Sequence, residues 1–351
     1  MYIGKTESGF KVEVKMSEKL NSNNLITCFG DSGNGKTTLL KNLAVSAKAE
    51  GIPVIIPDTS ESYPLSEIQA LGDKEYFDIA YEGIPIDMFK PRTVYYDGKE
   101  VVEDNVKIAN RITGNLLQAF KMEGGTQIAT LTTAVKKHLC SSYPQKSFDG
   151  VLYELRKMKG TQARVLENKV QMLADIPICK RNIDWEDIVK NNKTVIFQLS
   201  YLDNPLRSLF LELILSDFWN WIRKNKNKKD VFIILDEVSN FSFKSPYFMS
   251  NIREFRKFGI GAIMATQFLG GLLGKDAVNL LNQAAMHMYF GIGDSKEALR
   301  AAKNISPDNY KEWVTLIKNL DRGECIFCGK IQHMGEVLDQ KVLIKVPFHK
   351  Q

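Results

Sequence analysis

Two kinds of apolar spacing take turns along the chain, and the places where one gives way to the other divide it. Tyr2-Ile3-Gly4 and the alternating Phe10-Lys11-Val12-Glu13-Val14 flank a turn at Glu7-Ser8-Gly9, which predicts a small hairpin over residues 1–20. Leu25-Ile26-Thr27-Cys28-Phe29 is an apolar run of strand type, and Thr38 to Val45 then carries apolar residues at helical spacing. A second strand-like run, Pro53 to Pro57, ends at Asp58. Strand, helix and strand at this spacing predict a right-handed βαβ unit with parallel strands.

From about residue 90 to 180 strand-like runs become scarce. Ile108, Ile112, Leu116, Leu117 and Phe120 mark one helix, and Ile128, Leu131, Ala134, Val135 and Leu139 a second. Val151, Leu152, Leu155 and Met158 mark a third, and Val165, Val170 and Leu173 a fourth. Gly124-Gly125, Pro144 and Gly160 punctuate them. Strands resume at Thr194 to Leu199, followed by a long helix from about Pro205 to Trp221. Val231 to Leu235 is apolar throughout, as a strand buried on both faces should be. Gly261 to Ala265, Met286 to Phe290, Cys325 to Phe327 and Val342 to Val346 complete the series. The predicted fold class is α/β: a mainly parallel central sheet with helices on both faces and an inserted helical bundle. The expected organisation is a hairpin at 1–20, a core at 21–89 and 185–351, and the insertion at 90–184.

Composition changes this picture little. With 351 residues, 44% hydrophobic and 25% charged, the chain has the make-up of an ordinary globular protein. No apolar run approaches the ~20 residues of a membrane span, and MYIGKTESGFKVEV has no signal-peptide core. A cytoplasmic chain with no membrane partner is expected. Five cysteines with scattered spacing do not form a disulfide framework. Cys325 and Cys328 make one CxxC inside a strand pattern, without a second pair, and are expected to pack rather than bind zinc. The net charge of +6 permits contact with nucleic acid without demonstrating it. The densest basic run, Arg223 to Lys229, is expected to be a solvated loop.

The chemistry concentrates in Gly30-Asp31-Ser32-Gly33-Asn34-Gly35-Lys36-Thr37, followed by Thr38. Its glycines let the backbone turn tightly and aim N–H groups at an anion beside the positive end of the following helix. Lys36 is placed to reach the β- and γ-phosphates of a nucleotide and the Thr37 hydroxyl to hold Mg²⁺, which makes ATP and Mg²⁺ the expected ligands. The buried strand Val231–Leu235 delivers Asp236 and Glu237 at its end. In open α/β sheets ligands sit at that edge, so Asp236 is expected to orient the metal and Glu237 to polarise the attacking water. Gln267 ends a further strand, where an amide can sense the γ-phosphate. Arg256 lies in a basic segment before that strand and is a candidate arginine for a neighbouring subunit's nucleotide.

Four segments together resemble the HerA/FtsK superfamily of ring-forming ATPases: GDSGNGKTT at 30–38, IIPDTSESY at 55–63, FIILDE at 232–237 and FRKFGIGAIMATQ at 255–267. Leu320-Asp321-Arg322-Gly323-Glu324 adds weaker support. The resemblance implies a RecA-like P-loop NTPase core. It also implies Asp58 at the nucleotide, Glu237 as catalytic carboxylate, Gln267 as sensor, and Arg256, or else Arg253, as an arginine finger across the subunit interface. HerA proteins carry an N-terminal barrel where this chain has only the 1–20 hairpin, so contacts made by that barrel are expected to be absent or supplied otherwise. The implied function is a ring-forming, hexameric ATPase motor of the DNA translocase or helicase type, working on double-stranded DNA. The alternatives are a regulatory ATPase assembling a partner nuclease or effector, or an energiser of conjugation or secretion. Asn240 to Ser250 is one candidate DNA-facing loop.

Overall fold

The computed structural model describes residues 1–16, 21–96, 99–225, 229–240, 252, 254–267, 275–333 and 336–347. The elements begin with β1 (Tyr2–Lys5), β2 (Lys11–Glu13), β3 (Leu25–Phe29), α1 (Lys36–Ala49), β4 (Val54–Asp58), β5 (Lys74–Asp78) and α2 (Ile79–Glu82). Next come β6 (Thr93–Tyr96), β7 (Lys99–Val102), α3 (Asn105–Ala119), α4 (Gly125–Cys140), α5 (Phe148–Arg156), α6 (Thr161–Ala174) and α7 (Trp185–Lys190). Then follow β8 (Thr194–Gln198), α8 (Asn204–Asn225), β9 (Val231–Leu235), β10 (Ile260–Thr266), α9 (Lys275–Asn282) and β11 (Met286–Phe290). The last are α10 (Ser295–Ile305), α11 (Tyr310–Lys318), β12 (Glu324–His333) and β13 (Glu336–Lys345).

One mixed sheet runs in the order β2-β1-β13-β12-β11-β3-β10-β9-β4-β8-β5. Its middle is parallel: β3 lies between β10 and β11, β9 pairs with β10, and β4 with β9. The side from β12 to β2 is antiparallel. The parallel strands β3, β4, β9 and β10 are buried at every residue, which is why their sequences read as unbroken apolar runs. The order also explains how the site is assembled. The chain leaves β3, forms α1 and returns at β4, skipping two positions that β9 and β10 fill later. Strand ends far apart in sequence are thereby brought to one edge. Register places Thr266 beside Phe29 and Ile55 beside Ile233, so Gln267 lies level with Gly30 and Asp58 with Asp236.

Helix α1 is fixed by an apolar stripe. Leu39, Leu40, Leu43, Ala44 and Ala47 are buried in a core shared with Ile26, Ile56, Ile234 and Ile263. Each such leucine contributes roughly 1.5–3 kcal/mol of transfer free energy, so the loop before α1 rests on a firm base.

The chain divides into two compact units. The first comprises Met1–Tyr76, Trp185–Phe197 and Lys226–Gln351, and the second Phe77–Asp184 and Gln198–Asn225. Within the second, Arg111 is held by both carboxylate oxygens of Glu103 and by the carbonyls of Met88 and Lys90. Gln118 of α3 donates to Glu212 of α8 at 2.9 Å. This unit differs from the helical insertion expected at 90–184. It starts at Phe77, contains the two-stranded β6–β7 hairpin, and takes in α8. The reason is in α8 itself, whose Leu206, Leu209, Phe210, Leu213, Phe218 and Ile222 are all buried. A helix apolar on so many sides needs neighbours on more than one face. No described helix is long and apolar enough to cross a membrane.

Candidate active site

The loop between β3 and α1 is shaped by two glycines and pinned by two polar residues. Gly35 has φ of 111°, and a Cβ there would lie 3.3 Å from Cα of Gly323. At Gly30 a Cβ would fall 2.6 Å from Cβ of Phe290, so β11 approaches the backbone too closely for any side chain. Asn34 donates through Nδ2 to the Gly291 carbonyl at 2.7 Å, and its own carbonyl accepts from Gly323 N–H at 2.9 Å. The Asp31 carboxylate accepts from Gly293 N–H at 2.7 Å. Asp31 and Asn34 thus hold the loop between the end of β11 and the start of β12.

Lys36 is buried, and its ammonium donates to the carbonyls of Gly30 and Asp31 at 2.7 and 2.9 Å. The Thr37 hydroxyl donates to Oδ2 of Asp236 at 3.0 Å. Asp236 is buried, which pushes its carboxyl up; hydrogen bonds from Thr37 and Ser62 and the charge of Lys36 oppose the rise. Glu237 follows with φ of 58°, a left-handed conformation that costs a non-glycine residue about 1 kcal/mol or more. That turn brings its Oε2 within 3.1 Å of the Gln267 amide, while the Ser239 hydroxyl donates to Oε1.

These groups surround a cavity of about 320 Å³. Ser32, Gly33, Gly35, Lys36, Thr37 and Thr38 form one wall, and Asp236, Glu237 and Gln267 the facing one. Ser60, Ser62 and Arg322 complete it. Arg322 was missed as a site residue; its only signal in the sequence was its place in the Leu320–Glu324 segment. Ser60 and Ser62 stand where Asp58 was expected. The fully buried Asp58 carboxylate is turned into its own loop, accepting from the N–H groups of Ser60, Ser62 and Tyr63 at 3.1, 3.0 and 2.9 Å. In this arrangement Asp58 shapes the turn that presents the two serines.

Arg256 also lies away from the cavity. It sits in the short 3₁₀ turn Phe255–Phe258 before β10 and donates to the Ser22 carbonyl at 2.8 Å. The 7 residues of β10 separate it from Gln267, about 20 Å at the rise of an extended strand. It therefore stands at the opposite edge of the sheet. Arg253 and residues 241–250, expected as an alternative donor and a DNA-facing loop, fall outside the described residues.

The arrangement suits a triphosphate. Loop N–H groups and Lys36 favour clustered negative charge. Among the described residues no three His, Cys, Asp or Glu side chains form a metal cage. Mg²⁺ fits a different donor set, one hydroxyl and one carboxylate completed by phosphate and water oxygens, and the Thr37–Asp236 pair offers that.

No family model matches the chain, and no curated protein matches it in sequence. Solved structures do. VirB4 of Thermoanaerobacter pseudethanolicus superposes with a TM-score of 0.72 at 16% identity, covering 99% of this chain and 96% of that one. The bacterial conjugative coupling protein TrwB, lacking its first 70 residues, gives 0.64 at 12% identity over 99% and 88% of the two chains. TrwB in complex with the ATP analogue ADPNP gives 0.66 at 12% identity over 93% and 86%. At such identities the likeness is one of fold: the chain shares a mostly parallel, RecA-like P-loop fold with VirB4 and TrwB.

Proposed function

We propose that this chain is the subunit of a ring-forming ATP-hydrolysing motor that moves double-stranded DNA, with each nucleotide bound where two subunits meet. The observation that carries the reading is the separation of the cavity from Arg256. Metal-site, base and sensor candidates converge at one sheet edge, while the basic residue suited to stabilising transition-state charge stands at the other. In a ring each subunit meets its neighbour through two different surfaces, so the Arg256 of one subunit can serve the cavity of the next. Hydrolysis then depends on assembly.

Water attacks the γ-phosphorus and gives a proton to Glu237, as the bond to the β–γ bridging oxygen breaks and ADP departs with phosphate. Gln267 holds the Glu237 carboxylate at 3.1 Å and restrains the water beside it. Lys36 exchanges its loop carbonyls for phosphate oxygens. Thr37 and Asp236 would hold Mg²⁺, which when bound would supply charge neutralisation at the phosphates.

Likeness to VirB4 and to a conjugative coupling protein over nearly the whole chain supports a transfer role, and keeps an energiser of conjugation or secretion as the second reading. Both readings are tested by mixing subunits. Arg256→Ala and Lys36→Ala proteins, each inactive alone, should regain partial ATPase activity together. No recovery overturns the shared site. Stimulation of turnover by double-stranded DNA supports the DNA motor. Turnover indifferent to DNA, with a nuclease or effector co-purifying, replaces it with the regulatory reading.

A further inference from the structure

A second cavity, of about 560 Å³, is walled by the β1–β2 hairpin and the end of β13. Tyr2, Lys5, Thr6, Val346 and Pro347 face it. It belongs to the same compact unit, and hydrogen bonds tie it to the phosphate loop. Asn34 accepts from Gly323 N–H, and Gly323 accepts from Val346 N–H at 2.8 Å. Along α1, Thr38 lines the phosphate cavity, Asn42 donates to the Pro347 carbonyl at 2.7 Å, and Ser46 accepts from the Tyr2 amide at 2.8 Å. These three residues are spaced four apart on one helix face, and each step advances about 6 Å. The second cavity therefore continues the line of the first, one to two turns farther along α1.

Direction within the sheet gives an independent argument. Asp236, Glu237 and Gln267 stand on the β9–β10 side of β3. A nucleotide with its terminal phosphate toward them has its other end pointing toward β12, β13 and β1. Arg322, just before β12, marks that path. Close packing fixes the floor: a Cβ at Gly4 would meet the Lys345 carbonyl oxygen at 2.5 Å, so β1 lies tight against the end of β13.

We propose that the base of the bound nucleotide lies in this second cavity, its faces against the Tyr2 ring and Pro347. The inference rests on the nucleotide reading of the first cavity. Lys345 is ion-paired with Glu324 at 3.1 Å and stands at the rim. Recognition is by stacking, which every base offers, so ATP and GTP should bind with similar affinity.

The test measures binding of Mg-ATP and of Mg-tripolyphosphate, which has no base, to the full chain and to its Tyr2→Ala and Tyr2→Phe variants. Tyr2→Ala should weaken ATP about tenfold, the scale of one lost base–aromatic stack, and leave tripolyphosphate unchanged. Tyr2→Phe should bind as the unaltered chain does. Unchanged ATP affinity in Tyr2→Ala, or an equal loss for both ligands, overturns the inference. Failure of the unaltered chain to bind either ligand overturns the nucleotide reading instead. Should Tyr2→Ala not fold, photolabelling of the unaltered chain with 8-azido-ATP decides: label within 1–11 or 345–347 supports the site, and label confined to other segments refutes it.

Discussion

The two compact units use polar residues in opposite ways. In the helical unit charges close on one another: Arg111 is enclosed by Glu103 and two carbonyls, Arg92 lies 3.6 Å from Asp217, and Glu212 is capped by Gln118. Its cavity of about 480 Å³ is walled largely by side chains such as Ile86, Phe89, Phe148 and Phe210. In the sheet unit Lys36, Thr37, Asp236, Glu237 and Gln267 converge on one small space, and Glu237 accepts a strained backbone to be there. Polar groups that satisfy one another hold a structure together. Polar groups gathered round a cavity, with strain tolerated among them, mark a site prepared for a ligand.

The sharpest way to break this contrast is Glu237→Gln. Turnover should fall about a thousandfold or more, some 4 kcal/mol of transition-state stabilisation, with ATP binding retained. Persistent steady-state turnover would remove Glu237 from its role. Next is Leu213→Ala, a buried position of α8. It should cost about 3 kcal/mol of stability, seen as faster hydrogen exchange in the helical unit, with nucleotide affinity nearly unchanged. A large loss of affinity would show that the two units are less separable than the contrast holds.

Acid and base should then act on the units with opposite sign. Burial lowers His287 of the sheet unit from 6.5 to about 4. Its folded value lies below its unfolded one, so stability present above pH 6.5 is lost as pH falls toward 4. Burial raises Glu212 of the helical unit from 4.5 to about 7. Its stabilisation is complete below pH 4.5 and is lost as pH rises through 7. Each effect amounts to about 3–4 kcal/mol at most. Unit-resolved hydrogen exchange between pH 4 and 8.5 checks the signs, and Glu212→Gln should flatten the alkaline limb. The smallest effect is expected from Asp58→Asn. Weakened support of the turn at Ser60–Tyr63 should cost about 1 kcal/mol of stability, with ATP affinity reduced less than twofold. A tenfold loss of affinity would return Asp58 to the nucleotide.

Much of this was legible beforehand for identifiable reasons. Gly30–Thr37 carries its own backbone instructions, and β9 reads as buried because every residue from Val231 to Leu235 is apolar. The four bundle helices α3 to α6 showed their stripes. The β6–β7 hairpin was not seen, since Thr93–Tyr96 and Lys99–Val102 are short and their alternation is weak. The affiliation of α8 was hidden by the breadth of its apolar surface, which names no partner.

The sequence by itself determined the local pieces: a glycine-rich turn between strand and helix, two carboxylates at the end of a buried strand, a glutamine at the end of another. Short-range backbone sterics and apolar periodicity act within one element, so they can be read along the chain. Only the tertiary structure decided that Arg322 borders the cavity and that Arg256 lies at the far edge. Those outcomes depend on strand order and register, which join residues hundreds of positions apart and leave no local trace.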